Sequence, residues 1–334
     1  MTPSRPGSHV RAAVRTIATI GLSGLCLAYI LWKIDLRETA HVLANANIGE
    51  FLLASVITIG AVVPLTWRWQ RLLSVRGIDE GMGWLLRTSF TSYAFAQVLP
   101  TSLGGDATRI FAASRRHRGG APAVTGSVLL ERILGGFATL LLAAIGFALA
   151  VGRYDVGAYL WIEAAIFAGS IVAVFVLFSR RARGVLSRSV RPLRAVRLER
   201  PLRAAYEGLH GYRNHGRLLA WLFVLTTVVQ VFRVLAIWLV ARAVGVDLSP
   251  RPFFVLGPLL FLVMLVPFTV NGLAVREEFF VSFLGTLHVP ADPAFATGFV
   301  FYLLSIASSI PGAIILLAVA VPRRRKDMSV QIRT

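Results

Sequence analysis

Apolar and polar positions divide the chain into long apolar runs separated by short basic segments. The long runs cover residues 16–32, 51–67, 133–151, 159–178, 218–240 and 295–321. Each is close to the length that a helix rising about 1.5 Å per residue needs to cross a hydrocarbon core of roughly 30 Å. The pattern predicts an all-α integral membrane protein, a polytopic helical bundle with about six full spans.

Two further apolar segments are interrupted. Segment 88–103 is rich in Ser and Thr, closes at Pro100 and the glycine pair that follows, and has basic residues on both flanks. Segment 253–294 starts and ends on the same face when the spans around it are counted. Irregular backbone at membrane depth needs cover from protein or a water-filled cavity, so we predict broken or re-entrant helices in both segments. For 253–294, two full crossings and a re-entrant pair are both open.

Basic residues set the predicted orientation. Arginines precede the first run, segment 180–217 is dense in arginine, and a basic run ends the last span. The positive-inside rule predicts a cytoplasmic N-terminal tail (1–15), a transmembrane unit (16–322) and a cytoplasmic basic tail (323–334). The first run lacks a small-residue cleavage site after it, so we expect a retained helix. The 180–217 loop is either a solvated cytoplasmic loop or an amphipathic segment on anionic lipid.

Composition narrows the class. With 56% hydrophobic residues among 334, 15% charged residues and a mean hydropathy of +0.70, the chain has too little polar surface for a soluble domain. The net charge of +19 rests almost wholly on arginines placed between apolar spans, which argues against a nucleic-acid partner. Cys26 is the single cysteine, and the six histidines lack metal-ligand spacing. Disulfides within the chain are excluded, and no cofactor is expected.

A short motif occurs twice. Segments 99–109 and 267–276 each place a proline and an arginine nine positions apart, with glycine and alanine at matching places between them. Under nearly the same offset, residues 51–151 align with 218–321, and charge placement gives the two halves opposite orientations. This predicts an inverted-topology repeat, in which broken helices from opposite sides meet near the midplane at a substrate site.

The first motif carries the clearest candidate chemistry. Gly104, Gly105 and Asp106 open a predicted helix, and Arg109 follows one turn later. Glycines permit close backbone approach, and N–H groups at a helix start favour an anion, to which arginine adds a charged fork. A phosphate head group is the natural ligand. The simpler alternative is that Asp106 caps the helix and Arg109 is its surface partner at i+3.

Other ionisable residues lie close to or within the spans. Glu131 and Arg132 stand where the third full helix enters the bilayer, either as functional groups or as an interfacial ion pair. The second motif offers the corresponding candidates Asn271, Gly272, Arg276 and Glu277. Arg233 lies deep in its helix, where we expect it to pair with an acidic neighbour or to snorkel to the interface; the alternative is that it binds substrate.

Catalytic arrangements are not apparent in the sequence. It contains no serine nucleophile elbow, no Cys/His pairing and no Gly-Lys-Ser/Thr phosphate loop. No catalytic residue is therefore predicted, although Asp106 and Glu131 are available as a base if the fold brings them together.

Three motifs in order resemble the flippase-like family built on the transmembrane region of lysylphosphatidylglycerol synthases. They are Pro100-x3-Gly104-Gly105-Asp106-x2-Arg109, Glu131-Arg132-Ile133-Leu134-Gly135 and Asn271-Gly272-Leu273-Ala274-Val275-Arg276-Glu277. Asn271 and Ala274 replace the glycines usual in that family, and the likeness extends from about residue 16 to 322. The resemblance implies a multi-pass protein of the bacterial cytoplasmic membrane that moves or handles a lipid with a charged head group.

The leading hypothesis is a lipid flippase or transporter. Arg109 and Arg276 would bind the anionic part of the head group of a membrane phospholipid or a polyprenyl-linked lipid, and Asp106, Glu131 and Glu277 would hold the arginines. The full-length synthases also carry an aminoacyltransferase domain, which this sequence lacks, so we do not expect it to transfer an aminoacyl group alone. Two alternatives are a membrane enzyme acting on a lipid phosphate and a non-catalytic membrane subunit of a glycosyltransferase or aminoacyltransferase system.

Overall fold

Every regular element that the structure describes is an α-helix. The computed structural model describes residues 37, 41–42, 44–98, 104–117, 119–150, 161, 211–264 and 275–320. Its helices are α1 (Ile48–Gly60), α2 (Val62–Val75), α3 (Met82–Val98), α4 (Gly104–Arg116), α5 (Ala121–Ala150), α6 (Gly216–Ala243), α7 (Phe253–Val263), α8 (Val275–Gly285) and α9 (Ala291–Ala320). The predicted helical class is confirmed for these residues.

Among the described residues, four helical stretches are long and apolar enough to cross a membrane. They are Ile48–Val75, Ala121–Leu149, Gly216–Ala243 and Ala291–Ala318, with mean hydropathies of 1.9 to 2.1. The chain is therefore a multi-pass membrane protein. The predicted runs 16–32 and 159–178 lie outside the described residues apart from Trp161, so the total of six spans stays a prediction.

The first long stretch is divided into α1 and α2 at Ala61. Asn47 caps α1, since its side chain accepts from the Gly49 and Glu50 N–H groups at 3.0 and 3.4 Å. Pro64 has no N–H to donate to the Gly60 carbonyl, which accounts for the break after Gly60. The two helices thus form one candidate span that is interrupted at a single residue.

In the two interrupted segments, the helices have different bounds from the apolar segments in the sequence. α3 begins at Met82, six residues before the predicted start, because Leu85 is buried in a cluster with Trp69 and Val124. Within 253–294, α7 ends at Val263 and α8 begins at Val275. Residues 99–103 and 265–274, where the sequence predicts the breaks, lie outside the described part of the chain, so the broken helices stay a prediction.

The same order of helices occurs twice along the chain. In each half a long helical stretch of 28 residues precedes two short helices and a final helix of 30 residues. A short helix of each half packs against the final helix of the other half: α3 packs against α9, and α7 packs against α5. Glycines allow these approaches: a Cβ on Gly312 would overlap the Phe90 carbonyl, and one on Gly146 would overlap the Phe254 carbonyl.

The first span, formed by α1 and α2, runs antiparallel to α6. Near one end of the pair, Arg242 Nη2 lies 3.0 Å from Glu50 Oε1. Near the other end, the Tyr212 hydroxyl donates to the Leu72 carbonyl at 2.9 Å. Corresponding long helices of the two halves therefore point in opposite directions.

Candidate functional site

A cavity of about 630 Å³ lies among helices α2 to α7. Its charged lining residues are Arg68, Asp106, Arg109, Glu131, Arg132 and Arg233. Its polar lining residues include Thr66, Ser89, Ser92, Tyr93, Thr139 and Gln230, and its apolar ones include Leu65, Phe261, Leu262 and Met264. With four arginines and two carboxylates, this described lining has a net charge of +2.

Arg109 links the two carboxylates of the cavity. Its Nη2 lies 2.7 Å from Asp106 Oδ1 and its Nη1 lies 2.9 Å from Glu131 Oε2. Its guanidinium also lies over the Trp69 ring, 4.9 Å from the ring centroid. The i+3 pairing expected from the simpler interpretation is present, but the side chain is only 16% exposed, so this is not a surface ion pair.

Glu131 is the most buried charge of the cluster. Its side chain is 3% exposed, and Arg68 Nε donates to its Oε1 at 3.2 Å. Arg68 Nη1 in turn donates to the Thr226 hydroxyl at 2.8 Å. One carboxylate on α5 therefore joins α2, α4 and α6, and the structure places it inside the bundle rather than at its rim.

Asp106 lies between two guanidinium groups. Arg109 contacts one carboxylate oxygen, and Arg132 Nε donates to the other. Burial alone raises the pKa of this carboxyl, but attraction and hydrogen bonds from Arg109 and Arg132 outweigh it, so the pKa lies below its ordinary value. Asp106 is consequently an anion that orients the two arginines.

Gly104 and Gly105 are buried at the start of α4, where that helix meets α3. The Ser92 hydroxyl donates to the Gly105 carbonyl at 2.7 Å. A Cβ on Gly105 would lie 2.9 Å from both Ser92 oxygens, which is too close for any larger residue. The close approach that the glycine pair predicts is therefore made to α3, and it brings Asp106 and Arg109 to the cavity wall.

The second motif forms a separate cluster. Arg276 is 1% exposed and Glu277 is 2% exposed; Arg276 Nε donates to Glu277 Oε1 at 3.1 Å. The Arg276 guanidinium lies 4.9 Å from the centroid of the Tyr302 ring. Neither residue is among the described lining of the cavity. Pro100, Asn271 and Gly272 lie outside the described residues.

Arg68 was not predicted as a site residue from the sequence, and the contacts of Arg233 differ from those that the sequence led us to expect. Arg68 follows an apolar run together with other arginines, so it resembles an orientation signal. Within the described part of the chain, Arg233 does not meet the acidic neighbour that we expected. Its Nη1 donates to Gln230 Oε1 at 3.0 Å, and its guanidinium lies 4.5 Å from the Phe261 ring centroid. Gln230 Nε2 also donates to the Thr139 hydroxyl at 2.8 Å.

Within the described ranges, no group of three or more His, Cys, Asp or Glu side chains is arranged to hold a metal ion. The site is thus built from guanidinium, carboxylate, amide and hydroxyl groups, which suit an anionic ligand with hydrogen-bonding oxygens.

A model of a protein family, described as the lysylphosphatidylglycerol synthase TM region, matches residues 16–312. A search of curated proteins gave no match. The family match covers the described helices from α1 to α8 and most of α9.

Proposed function

The chain belongs to the family of the lysylphosphatidylglycerol synthase TM region, and from that premise we propose that it is a flippase-like transporter of a lipid with an anionic head group. The cavity among α2 to α7 receives the head group, and the acyl chains remain in the bilayer. The lipid is a membrane phospholipid or a polyprenyl-linked lipid of a bacterial cytoplasmic membrane.

The observation that carries this proposal is the net positive cavity set among membrane-spanning helices. Ionisable side chains at membrane depth are costly and mark ligand or ion pathways. The volume of about 630 Å³ lies within the range of roughly 300 to 1,000 Å³ that ligand pockets occupy. Guanidinium groups match phosphate oxygens by paired N–H donors. A phosphate-bearing head group fits the cavity in both charge and size.

Arg109 is the residue that we assign to the phosphate. It has carboxylates on both sides, at 2.7 and 2.9 Å, and it lines the cavity. An arriving phosphate exchanges with one of these carboxylates, while the other keeps the guanidinium in place. Binding and release then swap one charge-assisted hydrogen bond for another, which keeps the barrier to release low.

Transport by rocking of two inverted halves is the associated mechanism. The repeated helix order, the exchanged packing of α3 and α7, and the antiparallel first spans support an inverted repeat of about 51–151 and 218–321. In such a repeat, the two halves rock about a site near the midplane and open it to each face in turn. The basic segments place both termini and the 180–217 loop in the cytoplasm.

Reconstitution tests this proposal. Purified protein is placed in vesicles that contain a fluorescent phosphatidylglycerol, and a membrane-impermeant quencher reports lipid that has changed leaflet. Wild type is expected to move the lipid and Arg109→Gln to lose most of this activity. Arg242→Gln, on α6 but outside the described cavity lining, is the matched control. Normal movement by folded Arg109→Gln protein contradicts the proposal, and conversion of the labelled lipid to a new product supports a membrane enzyme instead.

A further inference from the structure

Among the described residues, Arg233 has no carboxylate beside it. It lies within the span Gly216–Ala243 and is one of the residues that line the cavity. The carboxylates in the described lining, Asp106 and Glu131, contact Arg68, Arg109 and Arg132. A mid-span guanidinium whose described partners are neutral is expensive unless an anion joins it.

The described contacts of Arg233 hold the guanidinium in position, but none of these contacts supplies a negative charge. Gln230 accepts from Nη1 at 3.0 Å, and Gln230 is itself fixed by its hydrogen bond to Thr139. The Phe261 ring covers the guanidinium at 4.5 Å. Since arginine carries five N–H donors, this arrangement orients a fork of donors while supplying no negative charge.

Arg233 lies at a different level of the cavity from the Arg109 cluster. The cluster reaches α6 at Thr226, through Arg68, and Arg233 follows seven residues later on the same helix. At 1.5 Å per residue this separation is about 10 Å along the helix axis. The described cavity therefore has two cationic levels along α6. The level of Arg68 and Arg109 contains carboxylates, and the level of Arg233 contains none among the described residues.

We propose that Arg233 is a second anion-binding site, which takes the phosphate group of a lipid head group at a different depth from Arg109. The evidence that Arg233 binds an anion is the geometry around it. A role of this site in transport rests on the function proposed above. Gln230 and Phe261 position the guanidinium, and the phosphate supplies the missing negative charge. The site is expected to prefer a phosphate-bearing lipid over the same lipid without phosphate.

Binding of short-chain lipids to the purified full-length protein in detergent tests this site. The probes are dioctanoyl phosphatidylglycerol, dioctanoylglycerol as the phosphate-free analogue, and glycerol phosphate as a free anion. Arg233→Gln removes the charge, Arg233→Lys keeps it, and Gln230→Glu places a carboxylate beside the intact arginine. Arg242→Gln is the control, because Arg242 lies on the same helix and pairs with Glu50. Gel filtration confirms that each variant is folded.

The account predicts that Arg233→Gln and Gln230→Glu each weaken phosphatidylglycerol binding by about tenfold or more, as expected for loss of one charge-assisted contact. Binding of dioctanoylglycerol, and all binding by Arg242→Gln, should match wild type, and Arg233→Lys should retain most of the affinity. Competition by glycerol phosphate at similar concentration would identify the ligand as a free phosphate ester rather than a lipid.

Two results overturn the proposal. One is wild-type phosphatidylglycerol affinity in both Arg233→Gln and Gln230→Glu; the other is equal loss of dioctanoylglycerol binding, which indicates a general packing defect. The transport proposal is tested by a different measurement, the movement of lipid between leaflets in vesicles. If lipid binding depends on Arg233 but no lipid changes leaflet, the binding site is supported and the flippase function is contradicted.

Discussion

Arg109 Nη1 lies 2.9 Å from Glu131 Oε2, and this contact ties α4 to the membrane span formed by α5. Arg68 holds the other oxygen of the same carboxylate at 3.2 Å. Glu131 is thus the negative centre of a buried cluster that joins four helices. Removing one partner from such a cluster leaves uncompensated charge away from water, which costs about 3 to 5 kcal/mol in comparable buried pairs.

Glu131→Gln should therefore lower stability sharply. The amide leaves Arg68 and Arg109 without a shared anion, and we expect a loss of roughly 3 kcal/mol. Thermal unfolding in detergent measures the loss. Glu50→Gln, at the more accessible pair with Arg242, is the control and should cost less than about 1 kcal/mol. Similar melting temperatures for Glu131→Gln and wild type would show that the cluster contributes little.

Gly146 should not tolerate alanine. A Cβ there would overlap the backbone of Phe254, so α7 must move away from α5, at a cost of about 1 to 3 kcal/mol. Gly136, on the same helix, has no atom within 4 Å of a Cβ position. Gly136→Ala should be neutral or stabilising, since alanine favours a helix over glycine by about 1 kcal/mol. Equal melting temperatures for Gly146→Ala and Gly136→Ala would contradict the close packing of α7 against α5.

Arg276→Gln tests whether the second motif takes part in lipid binding at the cavity. Arg276 is buried against Glu277 and Tyr302 and does not line the described cavity. We expect lower stability but normal lipid retention per folded molecule, whereas Arg109→Gln should lose retained lipid. Lipid phosphorus per mole of monodisperse protein is the measurement. Equal loss of lipid in both variants would instead support the hypothesis, from the sequence, that the two motifs share one ligand.

A cross-link between the halves should stop transport without stopping binding. Gln97 on α3 donates to the Ser305 carbonyl on α9 at 3.0 Å, across the two halves. After Cys26→Ser, cysteines at positions 97 and 305 are joined by a short bifunctional reagent. A pair at positions 80 and 116, where Glu80 contacts Arg116 within one half, is the control. Leaflet exchange that survives the cross-link at 97 and 305 would exclude rocking of these helices.

Sequence reasoning located the main charged residues because they interrupt apolar runs. Asp106, Arg109, Glu131 and Arg132 stood out in this way, and the structure gathers them at one cavity. The helical class and the long spans followed from run length, since hydrophobic thickness fixes helix length. The inverted repeat that the recurring motif predicts stays a prediction.

Other residues could not be identified without tertiary structure. Arg68 lies near the end of an apolar run with other arginines, and only packing shows that it turns inward to Glu131. Arg233 was expected to find an acidic neighbour, but spacing along one helix does not reveal what the next helix offers; the structure places Gln230 and Phe261 there. Glycines are common in membrane helices, so Gly146 and Gly312 gain meaning only from the backbone packed against them.

Binding of a lipid phosphate in the cavity can be detected by lipid-resolved mass spectrometry of the purified protein. Wild type, the Arg109→Gln/Arg233→Gln double variant and Arg242→Gln are purified in mild detergent from the same membranes. We expect one enriched anionic lipid class in wild type and Arg242→Gln, and its loss from the double variant. Retention of the same bulk lipids in equal amounts by all three proteins would contradict this expectation.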